Sequence, residues 1–332
     1  MNDFPVHLFL PFAASLLFVC GLLCVKRASG AGTGPWTVTF VTNMWAALLF
    51  SFLWLRGGEI PSVVALWQPT LIAALYILGQ IFTFAAISHG DVSVATPVFG
   101  VKVIVVAVLL SIFGTSTLSA TIWAAAGLAA VGIMLVQWNP SLNTDAQNEG
   151  AAEKDGEETN KEVESATGSL FLTVVLALCA ATSFGTFDVV VQAFTPAWGA
   201  GRILPIAFWI SGVLSLGFLP FCERSAFRLF FATENNKAEG PAVAHWALYA
   251  GGLLVAMQAI CIVFAIGNFG DAARVNVVYT LRGMWGVVLA WAVAIRWGGA
   301  EAELPTPVML LRLIGASLLT AAVIMVVLAE TS

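Results

Sequence analysis

Lys102 and Arg282 are the residues most able to do chemistry in this chain. Each is a cation deep inside apolar sequence, each lies eleven residues past a Gly-Asp pair (Gly90-Asp91 and Gly270-Asp271), and the two are separated by 180 positions. The same offset carries Phe84-Ala85 onto Phe264-Ala265 and Phe99 onto Tyr279. Eleven residues of helix rise roughly 16 Å, which places both charges near the middle of a bilayer. A charge there costs about 2.5–3.5 kcal/mol on insertion scales, so each needs a purpose or a partner. Two fixed cations suit a small anion, and Arg282 is flanked on its helix face by Tyr279 and Trp285, a setting for carboxylate or phosphate. The single intramembrane acid in reach by sequence is Asp188, in Ser183-Phe184-Gly185-Thr186-Phe187-Asp188. It is expected to serve as an ion-pair partner, a binder of a substrate amine or a proton site; one acid does not neutralise two separated cations. Asn43, Tyr76, Gln80, Gln258 and Asn276 are uncharged polar residues that complete a substrate cavity or make interhelical hydrogen bonds. Arg274 and Arg312 lie nearer segment ends, where their stems allow snorkelling.

The elements that position these residues follow from composition. Hydrophobic residues make up 59% of the 332, against 10% charged, where a soluble domain carries roughly 25% charged residues. Ten apolar stretches run near 7–25, 35–55, 66–88, 92–113, 119–138, 169–194, 203–220, 242–266, 272–295 and 307–329. Each spans a hydrocarbon core as a helix, and runs such as Val103-Ile104-Val105-Val106 lack the alternation of a membrane β-barrel. Trp36, Trp54, Trp67, Trp138, Trp246 and Trp297 mark segment ends. The first stretch has no Lys or Arg ahead of it and is expected to be a retained helix, not a cleaved signal.

Residues 139–168 interrupt the pattern with eight acids and two bases, a net −6 against −5 for the whole chain. The segment is expected to be a disordered linker. It divides the chain into a first five-helix repeat, 1–138, and a second, 169–332. Two five-helix units joined without an extra span must face opposite ways, and such inverted repeats build transporters with a midplane site. The fold class is thus all-α membrane protein, ten transmembrane helices in two inverted repeats around a central cavity.

The run Ser88-His89-Gly90-Asp91-Val92-Ser93-Val94-Ala95-Thr96-Pro97-Val98-Phe99-Gly100, with Gly127 to Met134 further on, resembles the EamA-type family of the drug/metabolite transporter superfamily. The resemblance covers both halves. It implies a secondary-active carrier of a small metabolite, and basic residues on the fourth and ninth helices of a sugar-phosphate branch resemble Lys102 and Arg282. Members often carry Gly-Glu after the fourth helix; here Phe113-Gly114-Thr115 lacks the acid, and only Glu301 supplies one in the second half. Asp91 and Asp271 are expected to cap helices four and nine, and Thr96-Pro97 to bend helix four.

The reading is transport of an anionic or zwitterionic solute by alternating access. Its alternative is an exporter of amino acids or mixed hydrophobic compounds with the cations paired structurally, and a remote third is an intramembrane enzyme. The Gly-Asp pairs lack the Gly-x-Gly-Asp of aspartyl intramembrane proteases, His7, His89 and His245 form no triad, the five cysteines show no metal spacing, and no Walker motif is present. No cofactor, metal or nucleic acid is expected; the partners are a small solute and membrane lipid, the state monomer or homodimer, the location the plasma (inner) membrane. Positive charge in the loops places both termini outside, whereas the resemblance implies termini inside. Deleting residues 145–165 is expected to leave membrane insertion and transport intact; loss of transport in a normally inserted deletion protein shows a functional acidic run.

Overall fold

A computed structural model describes residues 6–30, 32–59, 63–89, 100–113, 118–137, 158–222, 242–286, 288–289 and 306–331. Among them no strand occurs, and helices stand at all ten expected places: α1 (Phe9–Gly30), α2 (Pro35–Ser51), α3 (Trp67–His89), α4 (Lys102–Phe113), α5 (Ala120–Gln137), α6 (Glu158–Trp198), α7 (Ala200–Ser215), α8 (Ala242–Phe269), α9 (Ala272–Tyr279) and α10 (Thr306–Thr331). Seven helical stretches are long and apolar enough to cross a membrane, and Lys102–Phe113 and Ala120–Val136 are apolar but shorter. α9 has eight residues, and helix resumes after Thr280 at 281–286. The residues of Gly90-Asp91, Thr96-Pro97, Phe99 and Glu301 lie outside the described residues.

The acidic segment departs from expectation at its end. α6 begins at Glu158, eleven residues before the boundary drawn from composition. Low hydrophobicity argues against burial but not against helix: Glu, Lys and Ala all favour helix, and no Gly or Pro stands between Glu158 and Ala166.

The helices gather into two compact units that do not follow the two halves of the sequence. One comprises Met1–Ile77 and Phe187–Val275, the other Leu78–Thr186 and Asn276–Ser332. In the first, α1 packs along α8, and α2 packs on both α7 and α8. Glycines set the close approach: Gly21 faces Val255, Gly251 faces Cys24 and Val25, and Gly252 faces Val41 and Trp45. Between α2 and α7, Phe50 stacks on Phe208 at 3.7 Å, and Trp209 Nε1–H donates to Ser51 Oγ at 2.8 Å. The start of α3 meets the end of α6, where Trp67 meets Phe194 edge-on and Trp198 Nε1–H donates to Gln68 Oε1 at 2.5 Å. The turn out of α6 is Gly199, at φ +76°, a conformation that suits a residue without Cβ.

In the second unit, α5 packs along α10 and α4 beside α5. α6 reaches both α3 and α4: Gly79 lies against the Phe184 ring, and Gly185 against Val105. Lipid offers no hydrophobic force between helices, so association rests on such close van der Waals contact. The α5–α10 crossing is the tightest: a Cβ on Gly315 would stand 2.7 Å from the Gly132 carbonyl oxygen and 2.7 Å from the Val136 nitrogen. Gly315→Val is therefore expected to lower stability by about 1–3 kcal/mol through overpacking. Gly127→Ala, where a Cβ meets nothing within 4 Å, should be neutral or slightly stabilising. Thermal melts of both variants in detergent check the contrast.

Candidate functional site

The second unit brings four of the expected site residues to one cavity. Lys102, Asn276, Tyr279 and Arg282 line it, together with Gly100, Val103, Ile133 and Thr280. The space is about 10 Å³, room for about one water molecule.

Each cation follows a turn. Gly100 and Val101 form a turn, and α4 starts at Lys102. α9 ends at Tyr279, Thr280 is a turn residue, and helix resumes one residue before Arg282. Thr280 and Gly100 are themselves 180 positions apart. The chemistry of the second turn is visible. Thr280 Oγ1–H donates to the Val277 carbonyl at 2.5 Å, its N–H is shared between Asn276 and Val277 carbonyls at 3.2 and 3.1 Å, and Gly283 N–H reaches back three residues to the Thr280 carbonyl at 2.9 Å. Bonds to the third residue back tighten the turn and displace the regular ladder.

Each cation lies by an aromatic face. Lys102 Nζ is 6.0 Å from the Phe184 ring centre, and Arg282 Cζ is 4.6 Å from that of Tyr279. Arg282 Nη1–H also donates to the Tyr279 hydroxyl at 3.3 Å. Asn276 and Thr280 are buried, at 2% and 3% exposure. Trp285, one turn past Arg282, and Gln80, on α3, belong to the same unit and are half-buried. Asn43, Tyr76, Asp188 and Gln258 belong to the other unit. There Asn43 and Asp188 are buried, Asp188 to 1% exposure; Tyr76 packs its ring against Phe187 and Phe208, and Gln258 is half-buried.

Sequence reasoning did not single out Gly100, Thr280 or Phe184. The offset of 180 that pairs Lys102 with Arg282 also pairs Gly100 with Thr280, so that signal was present. Phe184 leaves no such trace, because its role depends on α6 lying against Gly79 of α3.

The anchoring of α9 corrects the reading of Arg274. Its Nη1 stands 3.3 Å from Asp271 Oδ2, an ion pair one turn apart, where depth alone suggested snorkelling. Asp271 caps α9 as expected: Arg274 N–H donates to Asp271 Oδ1 at 3.3 Å. Ala272 N–H donates to Gln192 Oε1 of α6 at 2.8 Å, so a second orphan donor of this helix start is satisfied. His7 Nε2 approaches the same Asp271 carboxylate at 3.5 Å while its ring stacks on Phe269 at 5.0 Å. Arg312, also read as snorkelling, has a buried Nε that meets no hydrogen-bond acceptor among the described residues. Among the described residues no cluster of three or more His, Cys, Asp or Glu side chains has metal-binding geometry.

Residues 6–138 match the model of the EamA-like transporter family. The EamA-like transporters are a family of the drug/metabolite transporter superfamily, and the similarity covers the first part of the chain. The protein is an integral, multi-pass membrane protein. No curated protein matches the sequence. Among solved structures, one crystal structure of a protein superposes with a TM-score of 0.65 at 14% identity, covering 98% of this chain and 100% of the other. That likeness shows a shared fold along nearly the whole chain.

Asp271 joins a cap and an ion pair in one carboxylate, and substitution separates them. Asp271→Ala is expected to cost about 1–2 kcal/mol. Asp271→Asn keeps the cap and loses the ion pair with Arg274, so its cost should be the smaller of the two. The order of the two melting temperatures in detergent tests this; equal losses put the whole effect in the ion pair.

Proposed function

We propose that this EamA-like protein is a secondary-active transporter of a small anionic or zwitterionic metabolite, with Lys102 and Arg282 as walls of its solute site. One observation carries the reading. A turn stands just before each cation, at positions 180 apart, and both cations line the same cavity. Turns at membrane depth place backbone polar groups where solute or water must satisfy them, as at the midplane sites of many secondary transporters.

The packing supports two inverted repeats. Moving each helix five places along the chain exchanges the α1–α8 contact with α6–α3, and returns α2–α7 and α5–α10 to themselves. A pseudo-twofold relation between halves requires that pattern. It also accounts for compact units that draw on both halves. Inverted repeats are the architecture in which secondary transporters reach alternating access. Asp188, buried in the other unit, favours a second reading within transport, in which the substrate carries an amine as well as an acid.

The test is uptake into liposomes of a panel holding a phosphate monoester, a dicarboxylate and an amino acid. Lys102→Met and Arg282→Met keep an apolar stem and remove the charge. Each should lower uptake of the transported anion by about tenfold or more, equivalent to the ~1.5–3 kcal/mol of a hydrogen bond to a charged group. Arg282→Lys should fail if the contact is a bidentate fork and survive if it is simple charge attraction. Wild-type uptake in both methionine variants, across the panel, removes the site; conversion of any solute to a new product turns the reading to an enzyme.

A further inference from the structure

Two arginines stand where four membrane-length stretches end. The apolar stretches Pro35–Arg56 and Val63–Ala86 adjoin at one loop, and Phe171–Trp198 and Ala200–Phe221 adjoin at one turn. Stretches of that length cross the hydrocarbon, so their ends lie at its boundary with the headgroups. The loop and the turn interlock. Glu59 N–H donates to the Trp198 carbonyl at 3.0 Å, a Cβ on Gly58 would stand 2.6 Å from Arg202 Cγ, and one on Gly201 would stand 3.0 Å from Arg56 Cβ. The stems of Arg56 and Arg202 thus leave the same clasp. Arg56 Cζ lies 4.9 Å from the Phe264 ring centre, and Arg202 Cζ 5.6 Å from that of Trp54. Among the described residues neither side chain makes an ion pair, and the buried Arg202 Nε–H meets no acceptor. Residues 52–67 and 196–204 contain these two arginines and one acid, Glu59, so the two segments carry net positive charge. Beside the arginines the loop exposes Leu55, Val63, Val64 and Trp67, at 88%, 82%, 85% and 55%.

We propose that this clasp binds an anionic phospholipid, with Arg56 and Arg202 donating to headgroup oxygens and the exposed apolar residues lying against the acyl chains. A guanidinium over an aromatic ring keeps its N–H edge for phosphate oxygens. The apolar residues beside it suit acyl chains, which a soluble anion lacks. A choline or ethanolamine headgroup brings its own cation toward the arginines, so a headgroup of net negative charge is the better partner. The bound lipid would tie the α2–α3 loop to the α6–α7 turn. The proposal requires nothing of the cavity at Lys102 and Arg282, which belong to the other unit.

The experiment uses the full-length protein in a nonionic detergent, with phosphatidylglycerol or phosphatidylcholine of the same acyl chains added to the micelles. Phosphatidylglycerol should raise the melting temperature saturably, by roughly 3–5 °C at a hundredfold excess over half-saturation, and phosphatidylcholine should not. Arg56→Gln and Arg202→Gln should each lessen that rise, and the double substitution should abolish it. Lys102→Met should keep it; loss of the rise there puts the lipid at the solute-site cations and overturns the assignment. Because a variant can fold poorly, the wild type supplies a second measurement: native mass spectra from an equal mixture of the two lipids should show phosphatidylglycerol retained in preference. Equal retention or equal rises with the two lipids overturns the proposal, as does a rise undiminished in the double arginine variant. An equal rise with glycerol phosphate, a headgroup without acyl chains, that is lost in the double variant also overturns it, because the clasp is then a site for a soluble anion.

Discussion

A backbone N–H or C=O left open in hydrocarbon costs several kcal/mol, and this constraint shapes the molecule before any side chain is chosen. It dictates helices wherever the chain is apolar. It also turns serine and threonine inward on their own helices: Thr39, Ser51, Thr83, Ser111, Thr186 and Thr195 each donate to the carbonyl four residues back. Under the same constraint, a helix that stops and restarts within the spans marks a place where the usual ladder has been given up for something else. The described residues show such an interruption at Thr280 and a turn at Gly100-Val101 ahead of α4, and a cation follows within two residues each time.

The helices are then held by shape. Leu and Val gain little by leaving lipid for another helix, so attraction depends on how closely backbones approach. Gly21 and Gly251 on α1–α8, Gly252 toward α2, and Gly132 and Gly315 on α5–α10 bring helices from opposite halves together. This makes the compact units cut across the sequence halves. It also leaves α9 to be fixed at its start by polar contacts: Asp271, Gln192 and His7 converge there. A short helix fixed at one end and interrupted at the other holds Asn276 and Tyr279 in a defined register against the cavity.

Much of this was legible in the residues. Apolar runs marked the stretches in which the described helices lie, seven of them long and apolar enough to cross a membrane. The Gly-Asp at 270–271 gave the helix cap, and the 180-residue offset linked Lys102 to Arg282 before any coordinates did. The rest depended on contacts between distant segments. Val277-Val278-Tyr279-Thr280 holds neither Gly nor Pro, so no breaker announces the interruption; a threonine hydroxyl competing for the Val277 carbonyl accompanies it. Asp271 and Arg274 stand at pairing distance for a helix, but their depth alone favoured a snorkelling arginine. The placement of Phe184 beside Lys102 follows from a glycine on another helix, Gly79, and no local pattern encodes it.

The equivalent positions do not carry equivalent groups, and the difference bears on what the site recognises. Lys102 presents a compact charge on a flexible stem, 6.0 Å from the Phe184 ring of another helix. Arg282 presents a planar fork over its own neighbour Tyr279 and spends one N–H on that hydroxyl at 3.3 Å. A lysine rotates to follow charge wherever it arrives, whereas a guanidinium rewards one orientation of a carboxylate or phosphate. A strictly symmetric pair would treat a solute alike from either unit's repeat. One pliant and one rigid cation break that equality: on the proposed reading, the arginine face sets the orientation of an anionic group and the lysine adjusts to it. Asn276 and Thr280, which line the cavity with Arg282, lie in the arginine's own half of the chain. In the proposed site the second half of the chain would then carry the orienting part, and the first half a charge able to follow it.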